Sequence, residues 1–316
     1  MTAGATRDTS AGLPAAGHRP IRVMLNRSAG LTGELPGTPA PVERIRDLLD
    51  RHGIEADIVQ PADESAATAA VREAVDAGVE VIVAAGGDGT VHLVAEAVID
   101  THVAMGILPM GRVMNVARSL GIPRDLESAA AILAAGHVRA MDVGVATSAD
   151  GRTVPFLEAG SVGLNAAVFR EVARAEAGDP GSIARTIWVA LRYRPARMSI
   201  ELDDEVVHSR GLMVSVSIGP YLGLGMTVAP NASMDDGRFD VRVFRGFSKW
   251  ELLRHLGSIA FGRRRYAPHV STYRSASVRI TSVHPLPARA DPVDLGQTPV
   301  TFRTKVHALR VVAPAP

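Results

Sequence analysis

The chain of 316 residues contains no cysteine, which excludes disulfide bonds, thiolate metal sites and catalysis by a cysteine nucleophile. Lysine is almost absent as well, because Lys249 and Lys305 are the only two among the 34 basic residues. A Walker-type phosphate-binding loop needs a lysine directly after its glycines. The first 248 residues contain none, so that mechanism is excluded there.

An excess of charge of one sign is also missing. The chain has 34 basic and 33 acidic residues and a formal net charge of +1, so overall charge does not favour a nucleic-acid partner, and we expect none. It also lacks an uninterrupted apolar run of about 18 residues, the length that a transmembrane helix needs. With 47% hydrophobic and 21% charged residues, the composition is that of a globular protein. The length predicts two domains at roughly 150 residues each.

Apolar runs and helical patterns alternate between residues 21 and 108, which indicates a parallel sheet covered by helices. Beyond residue 138 the β-rich runs dominate, with one helical stretch at about 182–193, and we predict a mainly antiparallel β domain. The predicted segments are a disordered leader (1–19), an α/β domain (20–140), a β domain (141–310) whose last strand is free to return to the first domain, and a tail (311–316).

The most informative segment is Gly86-Gly87-Asp88-Gly89-Thr90, which follows an apolar strand and opens a helix. Glycines let the backbone approach a ligand closely, and the amide groups at a helix start favour phosphate. Asp88 would repel a bare phosphate, so it meets a ribose, a metal-bound water or a hydrogen-bonded turn. Thr90 caps the helix or contacts phosphate. The alternative interpretation of the whole segment is a tight strand–helix turn without a ligand.

A second glycine turn, at residues 108–115, follows the next strand. The carboxyl ends of parallel strands meet at one edge of a sheet, where ligands of open α/β sheets bind. We therefore expect the two turns to converge. In the second turn, Arg112 binds phosphate through its guanidinium or is a solvated loop residue. Asn115 contacts the ligand or caps the helix that follows.

With these turns the chain resembles the bacterial diacylglycerol kinase and lipid kinase family, which also includes sphingosine and ceramide kinases. The matching segments are spread along most of the chain, at 25–30, 86–90, 106–123, 160–165 and 229–240. The glycine loop alone is shared with NAD kinases and phosphofructokinases. Its combination with the Ala-Pro and Asp-Asp-Gly elements of 229–240 is far more specific to lipid kinases.

The resemblance implies an α/β N-terminal domain with a Rossmann-like parallel sheet, a C-terminal antiparallel β-sandwich domain, and an active site in the cleft between them. It implies a kinase that moves the γ-phosphoryl group of ATP to a lipid hydroxyl, of diacylglycerol or a related lipid, with Mg²⁺ as cofactor. The ATP-binding residues carried over are Asn26, Gly86, Gly87, Asp88, Gly89, Thr90, Gly111, Arg112 and Asn115.

The Asp-Asp-Gly turn at 235–237 resembles the family's structural magnesium site. The resemblance places Asp236 on the ion, with the carbonyl groups of Ser233 and Arg238 in reach, and such oxygens suit Mg²⁺. A β-turn between two strands is the alternative interpretation.

Two departures from the family concern the chemistry. The second turn lacks the hydroxyl residue and the Asp that usually follow its glycine. Near the C-terminus the family's Asp-Gly-Glu is replaced by Asp291, Pro292 and Val293. Asp291 is therefore the predicted catalytic base and Asp294 the second choice, because phosphoryl transfer needs an acceptor for the hydroxyl proton. The alternative is that both are ordinary loop carboxylates.

Basic and aromatic residues lie together at 183–194 and again at 249–250 and 263–266. Such segments bind a membrane interface, or they pack as amphipathic helices on the β domain. We expect a cytoplasmic protein that meets its lipid substrate at a membrane surface, with peripheral contact at the inner face; a homodimer is left open. The competing functions are a kinase of another hydroxyl substrate and a homologue that binds nucleotide or lipid without turnover.

Overall fold

The computed structural model describes residues 20–26, 41–176, 181–223, 225–245 and 270–315. The predicted leader at 1–19, the family segment beyond Asn26 and the basic-aromatic groups at 249–250 and 263–266 lie outside the described residues. The chain forms two compact units. The first contains the residues up to Met141 together with those from His307 onward, and the second contains Asp142–Val306.

The first unit alternates strands with helices. Its elements are β1 (Ile21–Leu25), α1 (Pro41–Arg51), β2 (Asp57–Val59), α2 (Glu64–Asp76), β3 (Val81–Gly86), α3 (Asp88–Val98), β4 (Ala104–Pro109), α4 (Asn115–Ser119) and α5 (Leu126–Ala135). The four strands pair in the order β4-β3-β1-β2, and every pair is parallel. The predicted α/β domain with a parallel sheet is confirmed.

Burial explains why these residues adopt a parallel sheet. All six residues of β3 and all six of β4 are buried, as expected for central strands covered on both faces. The helices present apolar residues at helical spacing, such as Ile45, Leu48 and Leu49 in α1. The carboxylate of Asp125 caps α5 through the amide of Ser128, and Gly136 ends that helix in the left-handed conformation.

The second unit is mainly antiparallel β structure. Its elements are β5 (Val138–Thr147), β6 (Thr153–Phe156), β7 (Ala159–Gly163), α6 (Leu164–Glu176), α7 (Ser182–Arg192), β8 (Ala196–Glu201), β9 (Val206–Ser217), β10 (Tyr221–Leu222), β11 (Met226–Thr227), β12 (Phe239–Arg245), β13 (Val270–Ser275), β14 (Ser277–Ser282), β15 (Pro287–Ala290), β16 (Val293–Gln297) and β17 (Val300–Val312). The first four residues of β5 and the last six of β17 belong to the first unit. The long strand β9 pairs antiparallel with β7, β8 and β12. The predicted antiparallel β-sandwich class is confirmed.

Three phenylalanines form the centre of the second unit. The ring of Phe156 stacks on Phe239 with centroids 5.8 Å apart and meets Phe302 edge-on at 5.9 Å. Glycines make room for these rings, because a Cβ on Gly144 or Gly160 would lie 2.2 Å from a ring atom. Aromatic pairs at these distances add to the stabilisation from buried area.

The structure divides one β-rich run and corrects one expectation about the elements. The run at 154–159 is shared by two strands, β6 and β7, because the amides between them bind a side chain instead of a neighbouring strand. The tail predicted from 311 begins later, since Val311 and Val312 are buried in β17 beside β4. Helix α7 lies where the pattern predicts it, whereas α6 has no counterpart in the prediction. None of the helices in the described part of the chain combines the length and hydropathy needed to cross a membrane.

Candidate nucleotide site and the acidic segments

The two glycine turns of the first unit are in direct contact. They follow the adjacent strands β3 and β4, and the amide of Met110 donates to the Gly86 carbonyl at 2.9 Å. A Cβ on Gly111 would lie 2.7 Å from the Cα of Gly87 and 2.9 Å from the sulfur of Met114. Only glycine therefore fits at position 111. The two turns converge, as the sequence predicts.

Asp88 links the two turns. Its carboxylate accepts hydrogen bonds from the amides of Met114 and Asn115, both at 3.0 Å, at the start of α4. Of the three roles open to Asp88 in the sequence, the structure shows the hydrogen-bonded turn. It also shows that Asp88, and not Asn115, caps α4. Met114 precedes the helix in the left-handed conformation with φ of 53°.

The glycine loop forms the first turn of α3, since Asp88, Gly89 and Thr90 are already helical. The residue before the helix is Gly87, which has no side chain to cap it. The first amide groups of a helix lack partners within that helix, and their dipoles favour an anion. Thr90 does not cap α3; its hydroxyl accepts from the side-chain amide of Asn26 at 3.2 Å.

A cavity of about 380 Å³ adjoins this helix start within the first unit. Its walls include Leu25, Asn26, Asp63, Gly87, Gly89 and Thr90. Four of the nine predicted ATP-binding residues line the cavity, namely Asn26, Gly87, Gly89 and Thr90. Small-molecule sites are concave and have volumes of about 300–1,000 Å³, so the cavity is large enough for part of a nucleotide.

Three residues of the predicted ATP set, Gly111, Arg112 and Asn115, lie on the second turn. Arg112 is exposed, as both interpretations of this residue allow. Asn115 is 1% exposed in the first turn of α4. Arg124, which was not among the predicted residues, also contacts the second turn. Its guanidinium donates to the Gly111 carbonyl at 3.0 Å and so helps to fix the turn.

Asp291, the predicted base, belongs to the second unit and is 6% exposed. Its carboxylate accepts from three consecutive amides: Leu157 at 2.6 Å, Glu158 at 3.2 Å and Ala159 at 2.9 Å. These bonds hold the connection between β6 and β7. The residue has φ of 45°, a left-handed conformation that Asp tolerates better than most residues. The geometry therefore gives this carboxylate a positioning role.

Arg289 lies beside Asp291 and was missed by the sequence analysis. Its guanidinium stacks on the ring of Phe169 at 3.7 Å and donates to the Asp291 carbonyl. Burial lowers the pKa of Arg289 to about 10, opposed by the negative charges of Asp291, Glu158 and Asp294. Glu158 is itself buried, with 9% exposed. Two buried carboxylates, of Asp291 and Glu158, thus lie near one arginine beside the segment that matches the family's acidic motif.

Asp294, the second-choice base, is held at the surface. Arg170 donates to its carboxylate at 2.6 and 2.7 Å, and the amide of Gly296 donates at 2.8 Å. Burial acts to raise the pKa of Asp294, but the hydrogen bonds from Arg170 and Gly296 outweigh it, and the pKa is lowered. A carboxylate with a lowered pKa is a weak proton acceptor, so this geometry does not favour Asp294 as a base.

The Asp-Asp-Gly turn is held by hydrogen bonds within the second unit. The amide of Gly237, at φ of 71°, donates to the buried carboxylate of Asp142 at 2.6 Å. Ser233 donates to Asp235, and the amide of Arg238 donates to Asp236 at 3.0 Å. This is the β-turn interpretation of the segment. Asp142 was missed because it lies 95 positions from Gly237 inside a run of strand residues, with no motif around it.

The side chains of this turn do not fit a magnesium ion as they are arranged. The carboxylate of Asp236 forms an ion pair with Arg274 in addition to its bond from Arg238. Within the described ranges, no group of three or more His, Cys, Asp or Glu side chains has a metal-binding arrangement. The ion pair of Asp236 with Arg274 argues against the predicted metal set of Ser233, Asp236 and Arg238 in this arrangement. The two backbone carbonyl groups of that set stay a prediction.

Comparison with known proteins agrees with this architecture. The model of the diacylglycerol kinase catalytic domain matches residues 20–146, and that of the YegS C-terminal NAD kinase β-sandwich-like domain matches 160–313. A probable lipid kinase YegS-like protein of Enterobacter is 29% identical over 223 residues, which are 68% of this chain and 72% of the relative. The probable lipid kinase YegS of Shigella dysenteriae is 28% identical over 213 residues, covering 65% and 70%.

A solved structure shares the fold. The crystal structure of a diacylglycerol kinase from Bacillus anthracis superposes with a TM-score of 0.69 and 18% identity, covering 94% of this chain and 97% of the other. At this identity the likeness establishes the fold alone. The two matched domains, their order and the glycine turns together show that the chain belongs to the bacterial diacylglycerol kinase and lipid kinase family.

Proposed function

We propose that this protein is an ATP-dependent lipid kinase that transfers the γ-phosphoryl group of ATP, with Mg²⁺, to the hydroxyl of diacylglycerol or a related lipid. The observation that carries the proposal is the contact between two glycine turns at the ends of β3 and β4, beside the start of α3 and a cavity. The lipid acceptor is supported by the segment at 229–240 and by the names of the relatives.

In such a reaction the lipid oxygen forms a bond to phosphorus as the bond to the β-phosphate oxygen breaks, and the hydroxyl proton passes to a carboxylate. Catalysis depends mainly on positioning and charge stabilisation. The helix-start amides at Asp88 and Gly89 would hold phosphate oxygens, and Arg112 would add a mobile positive charge. Mg²⁺ bound with the nucleotide would neutralise phosphate charge. The assignment of the proton acceptor to Asp291 stays a prediction.

Gly89→Ala tests the nucleotide site without disturbing the fold. A Cβ at Gly89 would have nothing within 4 Å, and alanine favours helix, so the variant should be as stable as the native protein. If phosphate approaches this backbone, the methyl group should weaken ATP binding about tenfold or more, a change of roughly 1.4 kcal/mol. The matched control is Glu96→Ala, on the exposed face of the same helix. Equal ATP affinities in both variants, by calorimetry, would contradict the proposed site.

The acceptor is tested with radiolabelled ATP and diacylglycerol, ceramide, a sphingoid base and NAD offered separately. Phosphorylation of one lipid and not of NAD supports the proposal. Labelling of NAD alone would replace the lipid acceptor by a soluble one. ATP binding without labelling of any acceptor would favour the homologue without turnover, an alternative that the engaged carboxylate of Asp291 and the loss of Glu at Val293 support.

We also propose peripheral contact of α7 with an anionic bilayer. Trp188 is 56% exposed, and the guanidinium of Arg192 lies 4.8 Å from its ring centroid. Helix α7 contains no acidic residue, although Arg185 pairs with Glu171 of α6 at 3.1 Å. Exposed tryptophan with arginine is typical of interfacial helices. Trp188→Ala should reduce flotation with anionic vesicles and leave binding to neutral vesicles unchanged; no flotation of the native protein would contradict this contact.

A further inference from the structure

The segment that opens β12 concentrates negative charge. Asp235, Asp236 and Asp240 lie within six residues of one another, and Asp240 is only 4% exposed. Burial raises the pKa of Asp240, and the charges of Arg274 and Arg242 oppose that rise. Carboxylates this close repel one another unless a cation lies among them, and a metal ion or a basic side chain can supply that cation.

Arg274 occupies this position. Its guanidinium forms an ion pair with Asp236, and its Nε lies 4.0 Å from the carboxylate of Asp240. One side chain thus lies between two carboxylates of the turn. Guanidinium groups are planar, permanently charged and able to donate to two carboxylate groups at once, which suits this arrangement.

The strand pairing places Arg274 there. Strands β12 and β13 are antiparallel neighbours, and Asp240 lies directly opposite Arg274 in their register. Side chains at directly opposed positions are within contact distance. The long side chain continues past Asp240 to Asp236, which lies just before β12. The arginine is therefore brought to the turn by the sheet itself and needs no ligand to order it.

A magnesium ion at this turn would bind the carboxylate of Asp236 and complete its octahedron with carbonyl oxygens and water. That carboxylate already accepts from the amide of Arg238 and from Arg274. A divalent cation on Asp236 would also face the positive guanidinium at contact distance. Binding would require Arg274 to leave both carboxylates.

We propose that the guanidinium of Arg274 replaces the structural magnesium ion that the family carries at this turn, so that the second unit is stable without a divalent cation. The proposal concerns the stability of the β domain and does not depend on the proposed activity. The Mg²⁺ that accompanies ATP is a separate ion.

Thermal unfolding of the full chain without nucleotide tests this proposal. The native protein should unfold at the same temperature in EDTA and in excess MgCl₂. Arg274→Met keeps most of the length of the side chain and removes its charge; in EDTA it should lower the midpoint by about 1–4 °C, and MgCl₂ should restore part of that loss. The matched control is Arg303→Met, an exposed arginine on β17, which should not respond to either addition.

Two results would overturn the proposal. The first is a native midpoint that falls in EDTA, rises with MgCl₂ and loses this response in Asp236→Asn, since the turn would then hold a metal. The second is an Arg274→Met midpoint equal to the native value in EDTA. If Arg274→Met does not fold, the midpoints of the native protein and of Asp236→Asn still test the proposal, because it requires that neither midpoint changes with MgCl₂.

Discussion

At the scale of single residues, Asp88 has a structural role in addition to its place in the glycine loop. Its carboxylate accepts from the first amides of α4 and so holds the second glycine turn against the first. Residues that cap a helix contribute about 1 kcal/mol to stability. Here the cap also holds together the two glycine turns of the proposed nucleotide site, so we expect stability and ATP binding to be coupled through one side chain.

Asp88→Ala should therefore lower the free energy of unfolding by about 1–2 kcal/mol and also weaken ATP binding. The matched control is Asp125→Ala, which removes a comparable cap from α5 without touching either glycine turn. It should lower stability by a similar amount and leave the ATP affinity unchanged. Urea titration and calorimetry measure the two quantities. Equal ATP affinities in both variants would contradict a positioning role for Asp88.

For Asp291 the family resemblance and the structure suggest different roles. The resemblance predicts a catalytic base, whereas its hydrogen bonds indicate that it holds the connection between β6 and β7. Asp291→Ala leaves the amides of Leu157, Glu158 and Ala159 without their acceptor, which should cost about 2–4 kcal/mol of stability. Asp291→Asn keeps one acceptor oxygen and should be intermediate. Asp294→Ala, which removes a half-exposed carboxylate, is the control and should change stability by less than about 1 kcal/mol.

Kinetics separate the two roles of Asp291. As a base, its loss in Asp291→Asn should reduce kcat by about 10²–10⁴-fold in a protein that remains folded. As a support, its loss should reduce activity only in proportion to the folded fraction. A stable Asp291→Asn variant with native kcat would remove Asp291 from the proton transfer.

At the scale of elements, one carboxylate joins two turns of the β domain. Asp203, between β8 and β9, accepts from the amides of Ala276 at 2.6 Å and Ser277 at 2.9 Å, where β13 passes into β14. Burial acts to raise the pKa of Asp203, and the hydrogen bonds from these amides outweigh it, so the pKa is lowered from 3.8. The ionised carboxylate therefore stabilises the folded state.

The pH dependence follows from this sign. Because the folded pKa lies below the unfolded value, the contribution of Asp203 is complete above pH 3.8 and is lost as the pH falls through the folded pKa. The difference in free energy of unfolding between native protein and Asp203→Asn should thus be largest at neutral pH and shrink towards about pH 3. Urea titrations across this range measure it. A difference that stays constant with pH would show that the charge of Asp203 is irrelevant.

At the scale of the whole molecule, the first unit is completed by the end of the chain. Strand β17 pairs with β14 through residues 300–303, and its residues Arg310 and Val311 lie parallel to β4. Leu309 is fully buried, whereas Val306 on the same strand is 55% exposed. The α/β unit therefore depends on residues synthesised after the β domain.

Leu309→Ala should destabilise the protein by about 2–5 kcal/mol, the usual cost of removing a fully buried leucine side chain. Val306→Ala, on the exposed part of β17, should cost less than about 1 kcal/mol. Equal stabilities of the two variants would contradict a structural role for the returning strand.

Much of this architecture could be predicted from local patterns. Strand β3 is apolar along its whole length and is followed at once by a glycine-rich helix start. The strand, the turn after it and the edge of the sheet where the turn lies could therefore be predicted together. The order of the two domains followed from the change of pattern near residue 138. The split between β6 and β7 was not predictable, because the amides that interrupt the run bind Asp291, more than 130 positions away.

The sequence by itself determined the class of each domain, the family and the glycine turns, since hydrophobic periodicity and glycine placement act over a few residues. Only the tertiary structure decided which side chains meet: Asp88 at the start of α4, Asp142 at Gly237, Asp291 at the β6–β7 connection and Arg274 at Asp236. These partners lie 27 to more than 130 positions apart in the sequence. They meet because the pairing of the strands brings distant parts of the chain side by side. The sequence shows that a side chain is charged, but it does not show whether that charge binds a metal ion or another side chain.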